Sequence, residues 1–70
     1  MMDAKEFKKE AKKRISAMGY KLMEWRASCG DWAFGFVRDN NGCYGCIAFG
    51  STGAITIEIL QQKEHKTFNL

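Results

Sequence analysis

Hydrophobic residues recur at two different periods along the chain. Ala4, Phe7, Ala11, Ile15 and Met18 follow one another at three- and four-residue steps and line one face of a helix over residues 4–18. Lys5, Lys8, Lys9, Lys12 and Lys13 take the remaining faces. Asp3 is suited to cap the helix, with Glu6 three residues on, and Gly19 stands where a left-handed glycine ends one. After Gly19 the period becomes two. Four strand-like runs follow, "YKLMEWRA", "WAFGFVR", "CYGCIAFG" and "AITIEIL", separated by "SCGD", "DNNG" and "STG". Breaks this short join antiparallel neighbours.

The pattern predicts an α+β fold over residues 1–70, with one helix on a four-stranded antiparallel meander in the order 1-2-3-4. The tail "QQKEHKTFNL" is open to three readings: frayed, a short helix, or a short fifth strand through residues 67–69.

Register follows from the turns. A two-residue Asn41-Gly42 turn pairs Asn40 with Cys43 and Phe36 with Ile47. A three-residue "STG" loop pairs Gly50 with Ala54, and a four-residue "SCGD" loop pairs Ala27 with Trp32. Together these collect Met23, Trp25, Trp32, Phe34, Phe36, Ile47, Phe49, Ile55, Ile57 and Ile59 on one face, the expected core. The opposite face then holds Leu22, Glu24, Arg26, Ala33, Gly35, Val37, Tyr44, Cys46, Ala48, Thr56, Glu58 and Leu60. One helix cannot cover both faces, so this second face is expected to meet water or a partner.

Composition is that of an ordinary globule, 46% hydrophobic and 27% charged. No apolar run reaches the roughly 18 residues of a membrane span, and the charged start "MMDAKEFKKEAKKR" lacks the apolar core of a signal peptide. With an odd number of cysteines, three, the expectation is a cytoplasmic protein. The net charge of +3 is uneven: residues 1–26 carry eight Lys/Arg against four Asp/Glu, residues 27–70 three against four.

Candidate chemistry is sparse. Cys43-x-x-Cys46, with Cys29 and His65, has the donor set of a Cys₃His zinc site. In a strand, however, residues three apart face opposite ways, so no metal and no cofactor is expected. No helix follows the motif to activate a thiol. His65 is the only histidine and lies in a polar tail, and Asp31, Asp39 and Glu64 sit near turns. "FGSTGA" joins antiparallel strands without a helix N-terminus behind it, so it lacks what cradles phosphate. No enzymatic activity is expected.

The order of a helix followed by a meander, with "GYKL" opening the first strand, resembles double-stranded-RNA-binding-like folds over about residues 4–50. Small RNase toxins of toxin–antitoxin pairs are among these. Such toxins carry a histidine near the start of the second strand, where this chain reads "SCGDWAF" and has none. The "KKEAKK" run resembles the RNA-gripping lysines of such domains, which lie on a C-terminal helix instead.

Two functions remain. The first is a non-enzymatic interaction module that binds a partner protein, or a second copy of itself, through the open sheet face. Its size suits a short inhibitor or adaptor of the kind found among phage and mobile-element proteins. The second is nucleic-acid binding through Lys5, Lys8, Lys9, Lys12, Lys13 and Arg14, six basic residues within ten positions.

Overall fold

The computed structural model describes residues 2–70. Helix α1 (Ala4–Ala17) precedes strands β1 (Lys21–Cys29), β2 (Trp32–Arg38), β3 (Cys43–Ser51), β4 (Ala54–Ile59) and β5 (Glu64–Asn69). The strands form one antiparallel sheet in the order β1-β2-β3-β4-β5, with α1 packed on one face. The α+β class and the meander are as the periodicity predicts, and the tail takes the strand alternative, longer than expected.

The helix ends are set locally. The Asp3 side chain accepts the Glu6 N–H at 2.8 Å, which satisfies a backbone donor that has no partner within the helix. Met18 is the C-cap, and Gly19 follows at φ +93°. Phe7, Ala11 and Ile15 are buried, whereas Ala4 is exposed and Met18 half-buried.

All three expected hairpin registers are corrected. β1 and β2 meet at Cys29↔Trp32 rather than Ala27↔Trp32, closing on Gly30 and Asp31, with Gly30 at φ +59°. β2 and β3 meet at Arg38↔Cys43, which pairs Phe36 with Gly45 and Phe34 with Ile47. The cause is Asp39. Its carboxylate accepts the N–H groups of Asn41 and Gly42 at 2.8 and 3.1 Å, and this Asx-type turn displaces the Asn-Gly turn by one position. The β2–β3 change is a shift of two throughout and leaves each side chain on its face, whereas along β1 the offset falls from two at Ala27 to one at Glu24 and Trp25 and none at Leu22, so Glu24 lies opposite Phe36 and Trp25 opposite Gly35.

The third change is a shift of one. Ser51 pairs with Ala54, so the turn holds only Thr52 and Gly53, and Gly50 pairs with Ile55. A one-residue slip turns a strand over. Ile55, Ile57 and Ile59 therefore point with Ala48 and Cys46, away from Phe49. These register changes set the core: Phe7, Ala11 and Ile15 of the helix close on Ala33, Val37, Cys46, Ala48, Ile55, Ile57 and Ile59.

The two faces are thus exchanged in the middle of the sheet. Gly35, Val37, Cys46 and Ala48, expected at the centre of the open face, lie buried on the side of the sheet that carries α1, Gly35 beneath the Trp25 ring. Leu22 and Tyr44 pack at the margin of the same core. Trp32, Phe34, Phe36, Ile47 and Phe49, expected inside, stand on the face that the helix does not cover. Met23 is exposed. Trp25 is core-facing as expected, because register shifts between Leu22 and Glu24 and between Trp25 and Ala27 re-aim the strand. The physical reason for the exchange is the helix's approach. The small side chains of Ala33 and Ala48 leave room for the helix stripe above the sheet, and the Trp25 ring of β1 covers Gly35.

Candidate interaction surface

The open face is organised in rows across the strands. One row runs Ala27, Phe34, Ile47, Glu58, His65; the next runs Cys29, Trp32, Phe49, Thr56, Thr67. Its two central strands are apolar, and the strands on either side are polar or small. Trp32 is 39% exposed and Phe49 41%, while Phe34, Phe36 and Ile47 are half-buried by one another. Phe34 and Phe36 meet edge to face at 5.4 Å, and the Arg26 guanidinium lies 5.9 Å above the Phe36 ring. Leu60 reaches the lower end of the stripe, over Gly45: a Cβ there would meet Leu60 Cδ1 at 3.1 Å.

Of the twelve residues expected to form the open face, Glu24, Arg26, Thr56, Glu58 and Leu60 are on it. The other seven, Ala33 among them, are on the helix side. Tyr44 donates to Asp39 at 3.1 Å, and burial together with Asp39 pushes its phenol up. Its neighbour Tyr20 donates to Glu64 at 2.7 Å, which with burial raises the Tyr20 phenol to about 12. These two rings close the helix-side margin and offer no platform.

Side-chain size does not mark the interior of this sheet. The alternation that locates the aromatic stripe is present in "WAFGFVR" and "CYGCIAFG". The accompanying signal is the small set, Ala33, Cys46 and Ala48, which forms the bed a helix needs.

Electrostatics divide the molecule. Lys5, Lys9, Lys12 and Lys13 are exposed and Lys8 half-buried on α1, on the side away from the aromatic stripe. Arg14 is engaged by Glu10 at 2.6 Å and lies 5.2 Å from the Phe68 ring centroid. On the open face, Glu24 and Arg26 pair at 3.3 Å, and Glu58 stands across the stripe from them. The face is therefore close to neutral. Basic groups and exposed aromatics, which single-strand binders place together, lie here on opposite sides.

The edges of the sheet are treated differently from its face. β1 carries the two register shifts, and β5 carries charges at Glu64 and Lys66. Both devices discourage edge-to-edge pairing. No such protection covers the aromatic stripe.

The cysteines stand apart: Cys29 and Cys43 are exposed, and Cys46 is buried. Among the described residues no group of three or more His, Cys, Asp or Glu side chains is placed to hold a metal, and no helix is long and apolar enough to cross a membrane. A cleft of about 1010 Å³ between the start of α1 and the hairpin ends is lined by Glu6, Phe7, Asp31, Ser51, Thr52 and Leu70 among others. Burial pushes the Cys46 thiol up to about 12, so it stays protonated at neutral pH. In native protein Cys46 is expected to react with a thiol reagent at least about a hundredfold more slowly than Cys43, because it must await opening of the core. Mass spectrometry of the modified chain, with and without urea, checks this.

Comparison with family models, with curated proteins and with solved structures gives no match to this chain.

Proposed function

We propose that the protein is an interaction module that buries its open sheet face against another protein surface. The observation that carries this reading is the row of large side chains, Trp32, Phe34, Phe36, Ile47 and Phe49, on a face that no element among the described residues covers. Monomeric proteins seldom leave a contiguous apolar patch of this kind without use. Its anatomy is that of an interface: aromatic centre, a rim of Glu24, Arg26, Glu58 and Thr56, few charges inside. Blunted edges support the same reading, since they leave the face as the adhesive part of the sheet.

Phe34→Glu is the discriminating change. The side chain is central and half-buried, so the folded chain should lose about 1 kcal/mol or less. Binding should fall at least about thirtyfold, the effect of removing a central aromatic anchor. Capture of partners from the source cell by tagged wild-type and variant chains, with nuclease present, measures it. Reversal of Lys9 and Lys13 to Glu should leave capture unchanged. Capture that is lost with nuclease or with lysine reversal, and kept by Phe34→Glu, would replace this reading with phosphate-backbone binding by α1, whose affinity falls with salt at a slope of about −0.9 per phosphate contact on duplex DNA.

A further inference from the structure

The occupant of the open face can be named from its rows. The apolar stripe occupies β2 and β3, with β1 outside it on one flank and β4 and β5 on the other. A two-fold axis parallel to the strands and midway between β2 and β3 lays β2 of one copy over β3 of the next. It also lays β1 over β4. Heights along the strands are retained by this operation, so Phe34 meets Ile47 and Trp32 meets Phe49, twice each. The flank behaves in the same way. Ala27 is in the row of Glu58, and Arg26 is its chain neighbour, with its side chain on the open face above Phe36. The axis therefore brings Arg26 of each copy to Glu58 of the other.

We propose that the open face is closed by a second copy of this chain, in a face-to-face sandwich about that axis, with Arg26 and Glu58 forming two symmetric contacts at its rim. The proposal rests on the reading of the face as an interface and names the partner. Two further observations support a copy over a different protein. First, there is area for a small interface. The four strands that this axis superposes, about 4.8 Å apart and about 7 residues long, give a face of about 440 Å² in projection, before side-chain relief is added, against roughly 800 Å² per partner in a standard interface. Second, the fully buried core under α1 is built from Ala, Val, Ile and Cys with Phe7 as its one aromatic, and Tyr20, Trp25, Tyr44 and Phe68 pack at its margin, while Trp32, Phe34, Phe36 and Phe49 stand on the open face. A chain this small with three unpaired cysteines gains stability by oligomerising, and a copy of itself is present wherever it is made. The geometry also leaves β5 outside the sandwich.

Sedimentation equilibrium of the full chain tests this. Wild type is expected to be a dimer at micromolar concentration. Arg26→Glu and Glu58→Arg are substitutions at the rim and keep the fold, checked by circular dichroism. Each alone places like charges at both symmetric contacts, and its dissociation constant should rise about tenfold or more. An equimolar mixture of the two variants should associate again, because both contacts of the mixed dimer then join Glu to Arg. Restored association on mixing is specific to this axis. A dimer whose single variants are weakened but not rescued by mixing overturns the arrangement. A wild-type monomer at all concentrations overturns the second copy. If Phe34→Glu nevertheless abolishes capture of another protein, the interface reading survives that failure. If the monomer also shows no loss on Phe34→Glu, both fall.

Discussion

Ala48→Arg is expected to leave no cooperatively folded protein in dilute buffer. Ala48 is fully buried, between Ala33 and Ile57 in the sheet and beneath the helix stripe. An arginine there overfills a close-packed site, at a cost of about 1–3 kcal/mol. It also buries a charge that finds no carboxylate, and an uncompensated buried charge costs about 3–5 kcal/mol more. The sum reaches the lower end of the roughly 5–15 kcal/mol by which domains are stable, the end that suits a chain this small. Far-UV circular dichroism and a urea titration check it: the variant should show no cooperative transition. Thr56→Arg is the matched control. Thr56 pairs with Phe49 on the open face, so its replacement should move stability by about 1 kcal/mol or less. Were Thr56→Arg unfolded and Ala48→Arg stable, β4 would have to be turned over relative to this structure.

Gly35→Ala should destabilise the fold by about 3 kcal/mol, a large effect for one methyl group. A Cβ at Gly35 would lie 2.3 Å from the Glu24 carbonyl oxygen and 2.9 Å from Trp25 Cε3. The nearer atom is backbone, so relief requires β1 to leave its register with β2. Gly45→Ala gives the contrast. There the closest atom is the tip of the Leu60 side chain at 3.1 Å, which can rotate aside, and the cost should stay under about 1 kcal/mol. Urea midpoints at unchanged slope measure both. Equal losses at the two positions would count against the close approach of β1 to Gly35.

Local signals in the chain were informative wherever one residue type has one mechanical use. Asp3 and Gly19 bracket the helix because a carboxylate satisfies first-turn donors and a glycine tolerates a positive φ. The strand runs were legible because the period changes at Gly19. Which side of the sheet faces α1 was not legible in this way. It hangs on whether the turn after Gly50 holds two residues or three, and "GSTGA" is compatible with both. Asp39 shows the same limit at a second turn: Asn41-Gly42 invites a tight hairpin, and a neighbouring carboxylate that captures two N–H groups outweighs it. The open surface inherits this. Glu24, Arg26 and Glu58 were placed on it correctly, and the aromatics that dominate it were assigned to the interior. Only the burial of Val37, Cys46 and Ala48 resolves the matter, and that is a property of the helix–sheet contact rather than of any one segment.

The meander has a consequence for how the protein is made. Each strand pairs only with its neighbour in the chain, so the sheet can grow hairpin by hairpin, without waiting for distant segments. The helix cannot share in this. Its stripe closes on Ile55, Ile57 and Ile59, and about 40 residues separate Ile15 from Ile59. At a synthesis rate of roughly 5–20 residues per second, α1 waits about 2–9 s for the strand that completes its bed. For that interval Phe7 and Ile15 have no finished core to enter. The five lysines on the other faces of α1 then have a use that requires no ligand: they keep a nascent amphipathic segment dissolved, and apart from its like-charged copies, until β4 emerges.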